Sequence, residues 1–406
     1  MKVFALGGYG KVGLPAVKLL AQSDLITKIA VAGRSQERAA AAAAEIGEKA
    51  VAVQADGTDE QRLASLLDGY DIVVNAAYKN TAPTILQAAM RVGIHYCDVQ
   101  DSVDDLLQLG SEAKAAGITA IVATGYSPCI SNLMGIHAAS QLDEVEQLQL
   151  GRARLSNFQK DLALTPRQWL KDPQKSLAEL HEFRPFIVML MNILQKNGFR
   201  TALDYKDGQW LESDPIRNGL AVPQLEGGTI ISYPYVSFDS FWGALPSDFA
   251  RLPPVEVWFS PFPLPLQNQL REQALRVLEG SLDVDAAVSS FFDLVESDPN
   301  HWLTLPENFI PIREIWARAV GYKDARAARH TCWFTTPMED LNGRFLTSVP
   351  LVAAVLKILR GEIHERGVMH AQTVFKPQTF FDELAALIKE QIPEGRLIDN
   401  SFEWME

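Results

Sequence analysis

The sequence predicts an α/β protein: a doubly wound parallel sheet into which an α+β domain with an antiparallel sheet is inserted. Three features predict it. Short apolar runs alternate with amphipathic helical patterns from Val3 to Ala123, the rhythm of successive βα units. The first run leads straight into Gly8-Tyr9-Gly10-Lys11-Val12-Gly13, a Gly-x-Gly-x-x-Gly string. Beyond Ser127-Pro128 the strands alternate, and aromatics and prolines become more frequent, as in an antiparallel sheet with one face on a core.

Taken in order, Val3–Leu6 is a buried strand, and Val12, Ala16, Leu19 and Leu20 follow helical spacing. Ile26–Ala32 is the second strand. Ser35 can cap the alanine-rich helix that follows, and Gly47 can end it. Ala50–Gln54 is the third strand. Leu63, Leu66 and Leu67 mark the next helix, with Asp59 and Glu60 at its positive end. Asp71–Asn75, Ile94–Val99 and Ile118–Ala123 complete the strands, separated by helices near Pro83–Arg91 and over Val103–Ala116. In the middle of the chain, Thr229–Val236 and Val255–Phe259 read as strands. Ile315–Ala319 and His330–Thr335 flank a turn near Gly321 as a hairpin. Late in the chain, Val352, Val355, Leu356 and Leu359 share a helix face that Gly361 stops, and Phe380, Phe381, Leu384, Leu387 and Ile388 share another.

Length and charge bound the function. A chain of 406 residues is long enough for two domains. A net charge of -13 argues against nucleic acid or an anionic membrane surface as partner and leaves a small molecule. The longest apolar runs, Phe186–Leu194 and Val349–Leu356, are too short to span a bilayer. Met1–Leu6 meets glycines at once and lacks the plan of a signal peptide. The three cysteines, Cys97, Cys129 and Cys332, form neither a disulfide framework nor a zinc knuckle, and no histidine has metal-ligand spacing, so no metal is expected. Reduced thiols make the cytoplasm the expected location.

The glycine string has the context that its chemistry needs, a strand before it and a helix after it. Gly8 would permit the tight turn, Gly10 the approach of a pyrophosphate, and Gly13 close helix–strand packing, so the fold is of the Rossmann type. Tyr9, Lys11 and Val12 complete the loop, whose amides would face phosphate charge. The end of the second strand selects the dinucleotide. An NAD site usually has Asp or Glu there, whereas this chain has Gly33-Arg34-Ser35 with Arg38 a turn later. Arg34 can pair with a 2′-phosphate and Ser35 can donate to it, which predicts NADP over NAD. Asp56 would accept from the adenine amino group, or simply make a turn. Ala76 and Ala77 are small enough to let the ribose and nicotinamide pass.

Proton-transfer candidates lie at the ends of the fourth to sixth strands: Tyr78, Asp98 and Tyr126, with Lys79 and Asn132 nearby. Their bland alternatives are a pocket-wall tyrosine, a helix-capping aspartate and a helix-capping asparagine. His95 reads as structural. Cys129 lacks an adjacent base and reads as a poor nucleophile. His181, Arg184 and Arg313 could meet a substrate carboxylate or be ordinary exposed charges.

The sequence resembles the saccharopine dehydrogenase-like family. The resemblance is carried by Gly8–Gly13, Ala32-Gly33-Arg34-Ser35, Asp71–Ala77, Gly93-Ile94-His95-Tyr96-Cys97-Asp98, Gly125–Asn132, and late in the chain Gly361-Glu362-Ile363 and Gly367-Val368. It implies a dinucleotide-binding domain of residues 1–130 completed by 346–406, and an inserted domain of 131–345 for substrate binding and homodimer formation. It implies NAD(P)-dependent oxidoreduction, often at a C–N bond of an amino-acid-derived substrate. The chain departs from the family at Cys129, where glycine is usual after Pro128, and at Met369-His370-Ala371-Gln372, where Pro-Glu is usual. The first expectation is therefore an NADP-dependent reductase of an imine or carbonyl on a small amino-acid-derived compound. A reductase of a larger apolar substrate, enoyl, lipid-like or a secondary metabolite, would suit the stretch Trp242–Leu270. A non-catalytic NADPH-binding sensor or assembly partner is the third reading.

Overall fold

The computed structural model describes residues 1–77, 79–100, 104–154, 203–207, 209–212, 220–223, 229–234, 253–261, 264–298, 301, 315–334, 343–390, 392 and 397–406. These fall into two compact units. The first is built from the described parts of Met1–His137 and Thr335–Ile398, and the second from those of Ala138–Ser240, Arg251–Phe334 and Asp399–Glu406.

The first unit holds a seven-stranded parallel sheet. Its strands are β1 (Lys2–Leu6), β2 (Lys28–Gly33), β3 (Ala50–Gln54), β4 (Ile72–Asn75), β5 (His95–Asp98), β6 (Thr119–Val122) and β15 (Gly367–His370), in the spatial order β15-β6-β5-β4-β1-β2-β3. The order reverses beside β1, the topological switch point at which such sheets bind ligands. Strands buried on both faces need apolar side chains throughout, and β1, β2 and β4 supply them. On one face Phe4, Leu6, Ala30, Ala32 and Val73 pack with Leu63 and Leu67 of α3 (Glu60–Leu67) and with Ile85 and Leu86 of α4 (Ala82–Val92).

Local signals set the helix ends. The Ser35 Oγ accepts from the Arg38 N–H at 3.2 Å and caps α2 (Gln36–Ile46). Asp59 caps α3 through Arg62 N at 3.0 Å. Gly93 ends α4 at φ 72, a left-handed conformation that suits glycine. The helix expected over Val103–Ala116 is instead two short ones, α5 (Asp104–Leu107) and α6 (Gly110–Ala115). The chain breaks there because Gly110 lies against β15: a Cβ on Gly367 would come 3.1 Å from the Gly110 oxygen. That seventh strand is absent from the sequence-based expectation, since four residues opened by a glycine at φ 118 carry no strand pattern of their own.

The second unit holds a nine-stranded, mostly antiparallel sheet. Its main path is β10 (Leu220–Pro223), β11 (Thr229–Pro234), β12 (Val255–Pro261), β7 (Glu144–Arg154), β13 (Ile315–Lys323), β14 (Arg326–Phe334) and β16 (Ile398–Trp404). β8 (Leu203–Lys206) pairs with β12 and β9 (Gln209–Glu212). The β7–β12 pair is parallel. The β13–β14 hairpin turns at Asp324 and Ala325, both at positive φ, rather than near Gly321. Gly321 lies inside β13 at a register shift, where a Cβ would come 2.0 Å from the Glu144 oxygen. One boundary also needs correction. The tail 346–406 was expected wholly in the first unit, but β16 closes the second sheet. Its edge pairing with β14 decides this: Met405 N donates to Ala327 O at 2.9 Å, Arg329 pairs with Glu403, and Arg326 lies 4.2 Å over the Trp404 ring. Among the described residues no helix is long and apolar enough to cross a membrane, and no group of three His, Cys, Asp or Glu could hold a metal ion.

Candidate functional site

The loop after β1 is built on a glycine that precedes the string. The left-handed residue is Gly7, at φ 78, not Gly8. A Cβ on Gly7 would come 2.6 Å from the backbone of Ala76, which follows β4. Gly8 serves the approach to Ala5, whose oxygen a Cβ would meet at 2.8 Å. Gly13 opens α1 (Gly13–Gln22) with its Cα tight on Gly7, where a Cβ would come 2.1 Å from the Gly7 oxygen. Gly10 differs, since a Cβ there would meet only the Gly7 oxygen at 3.0 Å. Its outer side faces open space, where a pyrophosphate would approach. Val12, at the N-cap position, offers no side-chain cap, so the leading amides of α1 keep their electropositive end. The Ser348 Oγ holds this turn from the late helix Gly343–Leu359, donating to Val12 O at 2.7 Å. Sequence alone offers no signal for that bond, which joins residues far apart in the chain.

Tyr9 organises the neighbouring subsite. Its hydroxyl accepts from the Ser35 N–H at 3.0 Å, and the Arg38 guanidinium lies 4.6 Å over its ring. The ring crosses Gly33, where a Cβ would come 2.5 Å from the tyrosine oxygen. Arg34 and Arg38 are exposed beside it. Gln54 Nε2 donates to Arg34 O at 3.0 Å, which fixes the backbone between the two cations. The Ser35 oxygen is occupied as a cap, and its hydroxyl proton remains to be donated. Asp56 makes a local turn, accepting from Thr58 N at 3.0 Å and Thr58 Oγ1 at 2.9 Å. These bonds, with nearby Arg34 adding less, hold its carboxyl below the usual range.

At the ends of β4, β5 and β6 lies a buried polar chain. Asn75, Tyr96 and Asp98 are all at 0% exposure. Asn75 Oδ1 accepts from Ala77 N at 3.0 Å, and Asn75 Nδ2 donates to the Tyr96 hydroxyl at 2.9 Å. That hydroxyl donates to Asp98 Oδ2 at 2.7 Å. Asp98 Oδ1 accepts from Ala123 N at 2.9 Å and Gln100 N at 3.2 Å. Gln100 Nε2 closes the ring on Ala77 O at 2.9 Å. Burial, then the neighbouring Asp98, push the Tyr96 phenol well above its ordinary range. Asp98 therefore works as a brace. It holds Ala123, itself at φ 59, and ties three strand ends into one rigid edge.

Beyond β6, Tyr126 is 2% exposed. Cys129 takes φ 99, a conformation that favours glycine, and its thiol is buried. Burial, with Cys97 beside it, pushes that thiol well above its normal range and so disfavours the thiolate that nucleophilic attack needs. Asn132 does not cap α7 (Ile130–Ala139) but lies inside it, at 0% exposure. Among the described residues neither Oδ1 nor Nδ2 of its amide has a hydrogen-bond partner. His95 is structural: its Nδ1 accepts from Thr119 N at 3.0 Å. Tyr78, the Lys79 side chain, His181, Arg184, Phe186–Leu194, Arg313 and residues 242–252 of the aromatic stretch lie outside the described residues.

These features agree with a match to a known domain. Residues 3–121 match the saccharopine dehydrogenase NADP-binding domain. Over that stretch the dinucleotide-binding unit is similar to the saccharopine dehydrogenase NADP-binding domain. A stretch of 140 residues is 30% identical to the NADP-dependent, L-glutamate-forming saccharopine dehydrogenase of Saccharomyces cerevisiae, and covers 34% of this chain and 30% of that enzyme. The likeness of fold extends over the whole chain. The apo structure of the yeast enzyme matches at a TM-score of 0.66, with 16% identity and 99% of each chain covered. Homospermidine synthase from Legionella pneumophila, solved with NAD, matches at 0.54, with 11% identity over 100% of this chain and 91% of that one.

Proposed function

We propose that this chain is an NADP(H)-dependent oxidoreductase of the saccharopine dehydrogenase-like type that reduces an imine or carbonyl of an amino-acid-derived small molecule. The observation that carries the cofactor half is the pair Arg34 and Arg38 around Tyr9, placed after β2 where a carboxylate would repel a phosphate. The residues present fit the dinucleotide. Gly10 leaves room at the uncapped start of α1, and the unsatisfied Asn132 amide at the far edge would pair with the nicotinamide carboxamide.

Bound there, the cofactor supplies or accepts the hydride. The chain binds and orients. Its loop amides hold the pyrophosphate, Arg34, Arg38 and Ser35 hold the 2′-phosphate, and the Asn75–Tyr96–Asp98 brace keeps Ala76 and Ala77 in place along the dinucleotide. Asp98 has its oxygens engaged by Tyr96, Ala123 and Gln100, so it positions rather than transfers a proton. We assign proton transfer to Tyr126 at the same edge, with Tyr78 the alternative. The resemblance to saccharopine dehydrogenase supports a C–N bond as the site of chemistry, and a homodimer is the assembly we propose with it.

Fluorescence titration with NADPH and NADH tests the cofactor assignment. NADPH should bind on the order of 100-fold more tightly, the worth of a bidentate charged pair. Arg34→Asp should reverse the order. Equal affinities in the parent and in the variant would overturn it.

A further inference from the structure

The second unit carries a cluster of buried hydrogen-bond donors that lacks an acceptor. Pairing across β12, β7, β13 and β14 aligns two rows, Glu256–Gln149–Arg318–Thr331 and Trp258–Gly151–Trp316–Trp333. Residues two apart on a strand share a face, so both rows lie on one side of the sheet. The side is dry: Arg318 is 3% exposed, Trp316 0% and Trp333 3%. Gly151 makes it possible, because any Cβ there would stand 1.6 Å from Trp316 Cε2. The indole uses that gap to lie across β7.

The polar groups divide unevenly. Glu256 is engaged by Gln149 Nε2 at 3.0 Å and Trp258 Nε1 at 3.2 Å, and Glu403 by Arg329. Arg318 gains little. Its guanidinium lies 5.6 Å over the Trp316 ring, and its Nε donates to Thr331 Oγ1 at 3.3 Å. Its two terminal nitrogens have no hydrogen bond among the described residues. The buried Nε1 atoms of Trp316 and Trp333 have no partner either. Burial, with the repulsion of Arg329, brings the guanidinium down to about 10 from its usual value, against a smaller pull from Glu403. Every unfilled group is a donor, and one is a planar fork with its face already stacked.

We propose that this face binds a carboxylate, seated edge-on against the Arg318 fork with the indole N–H groups of Trp316 and Trp333 available to the same anion. A carboxylate fits better than a phosphate. Arg329 on the same face is already paired with Glu403, so Arg318 alone among indoles cannot repay the desolvation of a dianion, and Glu256 and Glu403 stand on the same sheet. The site rests on the second unit alone and does not depend on the cofactor reading.

The test is a titration of the full chain with glutarate, read by tryptophan fluorescence and melting temperature. Glutaramide and inorganic phosphate serve as comparisons, with NADPH affinity measured in parallel. Glutarate should give a saturable change that glutaramide does not, with phosphate weaker. Arg318→Met should weaken glutarate binding by about 30-fold, the consequence of removing one partner of a buried charge pair. It should leave NADPH affinity and the ligand-free melting temperature unchanged or raise the latter, because an unpartnered buried cation costs stability. Arg318→Lys keeps the charge but not the fork, and should also bind glutarate less tightly. A response to glutarate that is absent up to about 50 mM, or equal in both variants, would overturn the proposal. So would tighter phosphate binding, or a ligand-free melting temperature that falls by more than about 2 °C in Arg318→Met, the mark of a purely structural arginine.

Discussion

Replacing Tyr96 by Phe removes one oxygen from the strand-end brace and leaves the ring in place. The hydroxyl accepts from Asn75 Nδ2 at 2.9 Å and donates to Asp98 Oδ2 at 2.7 Å, and all three residues are at 0% exposure. Without it, an amide donor and a carboxylate oxygen are stranded where water does not reach. A bond to a charged group contributes about 1.5–3 kcal/mol and a neutral one about 0.5–1.5 kcal/mol, so the expected loss is about 3 kcal/mol. In a unit of this size that corresponds to a melting temperature lower by about 9 °C. The two units need not unfold together, so the transition to follow by calorimetry is the one that added NADPH raises. Pairing the change with Asn75→Ala should cost less than the sum of the two, because the second substitution removes one of the stranded groups. A loss below about 1 kcal/mol for Tyr96→Phe would mean that water or a shifted side chain satisfies the edge, and the brace would not be what holds Asp98.

Two further outcomes follow from the same unit. Gly7→Ala should abolish nucleotide binding and lower stability by about 2 kcal/mol or more, since φ 78 is strained for alanine and its Cβ would sit 2.6 Å from Ala76; circular dichroism and NADPH titration read both, and a tight-binding variant would refute the turn's role. His95 has its affinity for a proton lowered by burial, then by Arg366, with Asp71 acting the other way. The folded state therefore takes up the proton less readily than the unfolded chain, and the His95 contribution is present above about pH 6.5 and lost as pH falls through the lower, folded value. Urea midpoints measured from pH 8 to pH 5 should fall on the acid side, and His95→Gln should flatten that slope; an unchanged slope would remove His95 as the cause.

Much of the first unit was written in the local sequence, because its signals act over three or four residues. Ser35 caps its own helix through Arg38, and Gly47 and Gly361 sit at positive φ where helices end. Runs such as Ile29–Ala32 are apolar enough to be buried on both faces wherever they pair. The glycine string marked the turn after β1, and the missing acid after β2 carries the proposed preference for NADP. Tertiary structure decided what depends on register and on distant partners. It moved the left-handed position to Gly7, set by the approach of Ala76, and laid Tyr9 over Gly33 to stack with Arg38. It gave β15 to the first sheet and β16 to the second, according to the edges left to pair. It turned Asp98 from a lone acid into a brace by setting Tyr96, Ala123 and Gln100 around it, and aligned Arg318 with three tryptophans drawn from two other strands and its own. A helix end or a turn is fixed by neighbours along the chain, whereas a cross-strand neighbour is fixed only when two strands choose a register, and that choice belongs to the whole core.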